Sequence, residues 1–324
     1  MDAFGRTVDY LRISVTDRCN ERCLYCMPEG YKGWERKQDH LTAEELIRVV
    51  RVAAQIGFRK FRLTGGEPLV RADLVEIVRA MATVPGVEHI CLSTNGTRLG
   101  RLASHLREAG VRTVNISLDA LDPEIYRRVT GGDVALVLDG IGAALAAGFE
   151  FVKLNCVLMR GVNEREIWPL VLFAAEHRLP LRLIELMPLT TTDVLTEKNF
   201  MPIAEAMALL GQKDELIPQP DWRLGFGPAR YYQLKQTGAR IGFIGAMTNL
   251  HFCETCNKMR LTADGKVRPC LGDHGEIDLR EVLRNTVDDK AVRTLLETAL
   301  QRKPLEHSFR GAYKPLRPMT AIGG

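Results

Sequence analysis

Six of the chain's eight cysteines stand in two groups of three. The first reads Cys19-Asn-Glu-Arg-Cys23-Leu-Tyr-Cys26, and the second joins Cys253-Glu-Thr-Cys256 to Cys270. Clustered thiols in an ordinary globular chain read as metal ligands or redox groups, not as disulfides. Three thiolates at these spacings can wrap one loop around a metal centre. Structural zinc takes four protein ligands, and the nearest histidine is His40. Three cysteines suit a four-iron cluster instead, with one iron left free to bind a small molecule. A zinc knuckle with a distant fourth ligand is the competing reading. The second group is open by spacing alone: with His274 it makes a four-ligand zinc site, and a second iron–sulfur cluster fits equally well. Cys91 and Cys156 stand alone in apolar runs and read as buried, inert thiols.

Charged residues in unexpected places come next. Arg12 lies between Leu11 and Ile13, Arg62 between Phe61 and Leu63, and Lys153 between Val152 and Leu154. A strand side chain facing a packed interior should be apolar unless it serves a site. With Lys258 and Arg260 these cations could surround a triphosphate, which needs several charge-assisted contacts. Solvated or snorkelling charges are the bland alternative. Thr64-Gly65-Gly66-Glu67-Pro68 offers close backbone approach to a ligand, and a carboxylate for an ammonium group. Asp119 and Glu185 are strand-end acids able to order an arginine or meet a cofactor. Net charge is only +4, too mild to argue for nucleic acid. Residues 258–324 carry 13 basic and 9 acidic residues, the whole excess, which suits an anionic ligand there. No apolar run approaches the roughly 20 residues of a membrane span. The start of the chain lacks the pattern of a secretory signal. The expectation is a cytoplasmic protein with neither nucleic acid nor membrane as partner.

The elements that must position these residues alternate. Strands are predicted at Leu11–Thr16, Lys60–Thr64, His89–Thr94, Thr113–Leu118, Phe151–Leu158 and Leu181–Met187. Helices are predicted near Ala43–Ile56, Ala72–Thr83, Leu99–Ala109, Val134–Ala147 and Arg165–His177. Thr42 with Glu45, and Asn163 with Glu166, have capping-box spacing. Gly57, Gly110 and Gly148 follow helical runs, as left-handed terminators do. Such alternation implies parallel strands joined by right-handed crossovers. Six units fit a partial (β/α)6 barrel, with a doubly wound open sheet as the alternative; either gathers its chemistry at strand ends. Past about Pro188 the pattern breaks. Short strands at Tyr231–Lys235 and Ile241–Ile244 precede the second cysteine group, and helices near Leu279–Arg284 and Ala291–Arg302 follow it. We therefore read residues 1–190 as the barrel and 191–324 as an extension covering its open side.

Cys-x3-Cys-x2-Cys after the first strand, with Tyr25 before its last cysteine and Gly-Gly-Glu-Pro after the second strand, resembles the radical S-adenosylmethionine superfamily. Leu11–Asn20, the second cysteine group and the terminal Gly323-Gly324 together resemble its GTP 3′,8-cyclase family, which opens molybdenum-cofactor biosynthesis. The resemblance implies two [4Fe–4S] clusters, held by Cys19, Cys23 and Cys26 and by Cys253, Cys256 and Cys270. It implies S-adenosylmethionine at Tyr25, Gly66, Ser117 and Met187. It places GTP at Arg12, Arg62, Ser93, Lys153 and the run Lys258-Met259-Arg260. Ser93 stands where threonine is common. Lys258, where an arginine is usual, keeps the charge without the bidentate fork. Reductive cleavage of S-adenosylmethionine would lead to abstraction of the 3′ hydrogen of GTP and closure of C3′ onto C8. The resemblance also implies an electron donor and a downstream cyclic pyranopterin monophosphate synthase, and leaves a homodimer open. Two terminal glycines ordinarily fray; in the family the tail enters the cavity, which would make Gly323 and Gly324 catalytic. Another radical S-adenosylmethionine enzyme with an auxiliary cluster, or a zinc-dependent binding module, are the other readings.

Overall fold

In the computed structural model the described residues are 1–27, 37–189, 196–311 and 313–323. Six parallel strands follow one another across the sheet: β1 (Tyr10–Ser14), β2 (Lys60–Thr64), β3 (His89–Thr94), β4 (Val111–Ser117), β5 (Phe151–Leu158) and β6 (Leu181–Glu185). The intervening helices are α1 (Ala43–Gln55), α2 (Leu74–Ala82), α3 (Leu99–Ala109), α4 (Pro123–Thr130), α5 (Val134–Ala146) and α6 (Ile167–Glu176). A doubly wound sheet would reverse its strand order partway. This order is sequential and β1 does not pair with β6, so the architecture is a partial barrel.

The chain beyond β6 adds α7 (Ile203–Gly211), β7 (Leu216–Pro218), β8 (Arg230–Leu234), β9 (Arg240–Ile244), β10 (Lys258–Leu261), β11 (Lys266–Arg268) and β12 (Ile277–Asp278). It ends with α8 (Arg280–Asn285), α9 (Asp289–Gln301) and the single turn α10 (Met319–Ile322). These strands do more than cover an opening. β9 pairs in parallel with β6, and β10 in parallel with β1, giving one sheet of 12 strands.

Alternation along each strand sorts the two faces. Leu11, Ile13, Phe61, Leu63, Ile90, Leu92, Val114, Ile116, Leu154 and Leu183 pack with the helices in one apolar core. The opposite face carries Arg12, Arg62, Cys91, Asn115, Lys153 and Arg182, all outside that core. An amphipathic sheet with its polar face turned inward is the frame of a ligand cavity. Thr42 and Glu45 form the expected capping box. Asn163 and Glu166 do not. Asn163 is buried, donating to the Asp119 and Val157 carbonyls, while Glu166 accepts from the Leu121 and Asp122 amides. Both side chains have longer-range partners than their own helix start. α4 and α7 went unpredicted: each is short and lies in a stretch broken by Pro, Gly or Asp. No single helix among the described residues is long and apolar enough to cross a membrane.

Candidate active site

The first cysteine group lies on the loop leaving β1, and its neighbours hold it in place. The amides of Arg22 and Leu24 donate to the carbonyls of Thr130 and Val129 at the end of α4. Tyr126 donates to Glu21 at 2.9 Å, and Asn20 bonds both Asn95 and Thr97 in the loop after β3. Gly65 and Gly66 pack against the start of this loop. A Cβ on Gly66 would sit 2.3 Å from the Arg18 carbonyl oxygen and 2.5 Å from that of Asp17. The close approach these glycines permit is thus to the cysteine loop itself. Glu67 is committed too: Thr94 Oγ1 and the amides of Leu69 and Asn95 donate to its carboxylate. Glu67 thereby joins the loops after β2 and β3.

The strand-end acids also act as ties. Asp119 accepts from Tyr25 at 2.7 Å and from the Val157 amide at 2.8 Å, and burial raises its carboxyl to about 6. Glu185 accepts from the Ile203, Met247 and Thr248 amides, fastening the later chain to the end of β6. Among the described residues neither is bonded to an arginine. Tyr25, Met187 and Met319 line one small pocket at this end, and Ser117 is half-buried at the last position of β4.

The second cysteine group lies at the other end of the barrel wall. Lys258 is in register with Tyr10 at the start of β1, so Cys256 precedes β10 at that end. Cys270 follows the antiparallel β11 and returns there. β1 has five residues, so at about 3.3 Å per residue the two groups stand roughly 16 Å apart along the strand direction. Lys303, buried, donates to the carbonyls of Lys258 and Pro269 and so joins both arms of the second group. Arg6 donates to the Cys253 carbonyl at 3.0 Å. Burial raises the thiols of Cys19 and Cys26 to about 12. Burial also raises Cys256, but Lys303 and Lys258 outweigh it and leave that thiol lowered.

The zinc alternatives fare poorly. His40 lies 3.0 Å from Asp17, and His274 stacks on Tyr313. Among the described residues no three ligands converge on a single ion. A cubane takes each cysteine on a different iron, which suits two spread triplets.

Between the two groups the inner face is cationic. Arg62 donates to the Tyr10 hydroxyl, the Leu92 carbonyl and Ser93 Oγ. Arg12 and Arg260 face each other in register. Burial, then Arg62, push Arg12 down to about 10; burial, then Arg182 and Arg62, push Lys153 down to about 7. Lys258 falls to about 8 by burial, with Arg12 adding. The Met259 side chain turns the other way and joins the apolar core beside Leu11, so only its backbone lies on the side of Lys258 and Arg260. Arg182 and Arg268 were missed. Both are buried; among the described residues Nε and Nη2 of Arg182 and Nε of Arg268 find no partner, and neither do Oδ1 of Asn115 and Asn155. Native interiors satisfy nearly all such groups, so a polar anionic ligand belongs among them. Arg182 carried the same signal as Arg12, a charge between Leu181 and Leu183. The penultimate Gly323 is buried here: Arg260 donates to its carbonyl, and an added Cβ would stand 2.9 Å from Thr64 and 3.2 Å from Ser14. The tail therefore does not fray at this residue. Gly324 lies outside the described residues.

A parallel partial barrel with three cysteines after its first strand defines a radical S-adenosylmethionine enzyme. Residues 13–174 match the Radical SAM superfamily, so the chain belongs to it, and residues 179–309 match Molybdenum Cofactor Synthesis C. The GTP 3′,8-cyclases of Pelotomaculum thermopropionicum and Moorella thermoacetica are each 44% identical to it, with 100% of this chain and 99% of each relative covered. That of Rhizobium etli is 45% identical over 100% of this chain and 94% of its own. Among solved structures, SuiB of Streptococcus suis bound to its precursor peptide SuiA superposes with a TM-score of 0.63 at 16% identity, over 94% of this chain and 67% of SuiB. Native anSMEcpe with bound AdoMet gives 0.62 at 18%, over 93% and 82%. Both likenesses concern the fold alone.

Proposed function

We propose that this chain cyclises GTP to (8S)-3′,8-cyclo-7,8-dihydroguanosine 5′-triphosphate, the first step of molybdenum-cofactor biosynthesis. The observation that carries this is the buried cationic face lying between two cysteine triplets at opposite ends of one barrel. The first cluster with S-adenosylmethionine, when bound, supplies hydrogen-abstracting radical chemistry. The residues of the chain do the rest. Cys19, Cys23 and Cys26 hold that cluster, and Tyr25, Gly66, Ser117 and Met187 surround the sulfonium cofactor. Cys253, Cys256 and Cys270 would hold the second cluster. Arg12, Arg62, Lys153, Arg182, Lys258 and Arg260 neutralise the triphosphate and fix the ribose toward the first cluster, with Ser93 beside Arg62. Buried walls exclude water and competing hydrogen donors. Gly323 enters the cavity and, with the terminal Gly324, helps set the meeting geometry of the two substrates.

The reaction needs an electron donor, and its product passes to a cyclic pyranopterin monophosphate synthase in the cytoplasm; a homodimer is compatible with this arrangement. Incubating reconstituted protein anaerobically with GTP, S-adenosylmethionine and dithionite, then identifying the nucleotide by mass and NMR, is the test. A 3′,8-linked product with GTP-dependent 5′-deoxyadenosine is expected. Cofactor cleavage indifferent to GTP would overturn the assignment.

A further inference from the structure

Before it reaches the cavity the tail is fastened to the sheet at Arg317. Arg317 Nη2 lies 2.8 Å from Asp264 Oδ1, and its Nη1 lies 3.2 Å from Glu276 Oε2. Both carboxylates are held independently of the tail: Thr262 donates to Asp264 at 2.6 Å, and Arg268 donates to Glu276 at 2.7 Å. Asp264 sits in the turn between β10 and β11, and Glu276 just before β12. Arg260, which binds the Gly323 carbonyl, is on β10. Arg317 and Gly323 are thus anchored to the same corner of the sheet. Between them Pro318 and the turn α10 form a short, stiff bridge whose Thr320, Ala321 and Ile322 are buried.

We propose that Arg317 is a positioning residue, an ionic latch that seats the glycine tail at the mouth of the cavity. The proposal rests on the reading that the tail takes part in the reaction. Two side-chain carboxylates on a rigid hairpin capture the guanidinium in a bidentate manner. That capture makes docking of the last residues an intramolecular event at high effective concentration. Without it, α10 and Gly323 keep their own contacts but lose the constraint on where they approach.

The test compares full-length, reconstituted wild type with R317A, R317K and a chain lacking Gly323 and Gly324. Iron content, GTP affinity by calorimetry, GTP-dependent 5′-deoxyadenosine formation and release of C-terminal glycine by carboxypeptidase are measured for each. R317A should keep its iron and its GTP affinity, yet release glycine faster. Its turnover should fall roughly tenfold or more, since misplacement by about 1 Å costs on the order of 100-fold. R317K should lie between R317A and wild type, and the peptide Arg-Pro-Met-Thr-Ala-Ile-Gly-Gly should restore part of the R317A turnover. Wild-type turnover in R317A overturns the latch. So does lost turnover with unchanged glycine release and no rescue, which would make Arg317 merely structural. If removal of the two glycines leaves turnover intact, the catalytic reading of the tail fails instead, and the latch with it.

Discussion

Replacing Arg182 by Met should move stability and GTP binding in opposite directions. The side chain is 7% exposed, and two of its nitrogens lack a protein partner. Arg62 is also close enough to lower it, after burial itself. Apolar replacement of such a buried charge often stabilises a fold by about 1–4 kcal/mol. Against this, Tyr231 loses a neighbouring cation but keeps the Leu224 carbonyl as an acceptor, a cost of about 1 kcal/mol. R182M without nucleotide should therefore be more stable by about 1 kcal/mol, raising Tm by roughly 2 °C in a chain of this size. A lost charge-assisted contact to phosphate is worth about 2 kcal/mol, which is roughly thirtyfold in Kd. Thermal unfolding of the ligand-free protein and calorimetry with GTP read the two effects. Destabilisation with unchanged GTP affinity would refute the reasoning and leave Arg182 a structural cation.

The other expectations follow from single features. Lys153, with its pKa pushed down from 10.5 to about 7, is neutral in the folded chain between those values and charged in the unfolded chain. Stability of the ligand-free protein should thus rise with pH across that window; GTP should restore the charge, so calorimetry at pH 8 in buffers of different ionisation enthalpy should show proton uptake that K153M abolishes. Reconstituted protein should carry about eight irons. Alanine at Cys19, Cys23 or Cys26 should end cofactor cleavage, and alanine at Cys253, Cys256 or Cys270 should leave some cleavage without cyclisation, read as 5′-deoxyadenosine and product. G66A should lose iron from the first site, because its Cβ meets backbone atoms of Asp17 and Arg18 that cannot move aside; full iron content would show the loop to be adaptable.

Strands were legible because alternation and apolar runs report local burial directly. Lys60–Thr64, His89–Thr94 and Phe151–Leu158 come out as predicted. The arginine between two apolar residues was a sound signal in Arg12 and Arg62, whose side chains the structure turns to the inner face. The same signal in Arg182 was passed over. What sequence could not supply was the destination of side chains paired at long range. Asn163 and Glu166 have helix-cap spacing but bond a loop some 40 residues earlier. Asp119 and Glu185 sit at strand ends, where site acids are expected, and serve as ties to Tyr25 and to residues 203, 247 and 248. The pairing of the extension's β10 with β1 and β9 with β6 was not legible, because such distant partners leave no trace in local pattern.

That pairing orders events during synthesis. β1 leaves the ribosome well before its edge partner, which lies 248 residues later, Tyr10 meeting Lys258. Until then the nascent barrel presents an open strand edge, the kind of surface that invites misassociation. Loop-closure entropy grows only slowly with length, so the closure is affordable, but it must come late. Cys256, Arg260 and the hairpin that receives Arg317 arrive together in that final step. The cavity therefore gains one wall, its second set of thiols and the seat for its tail in a single folding event, after the first cysteine loop has already found its place.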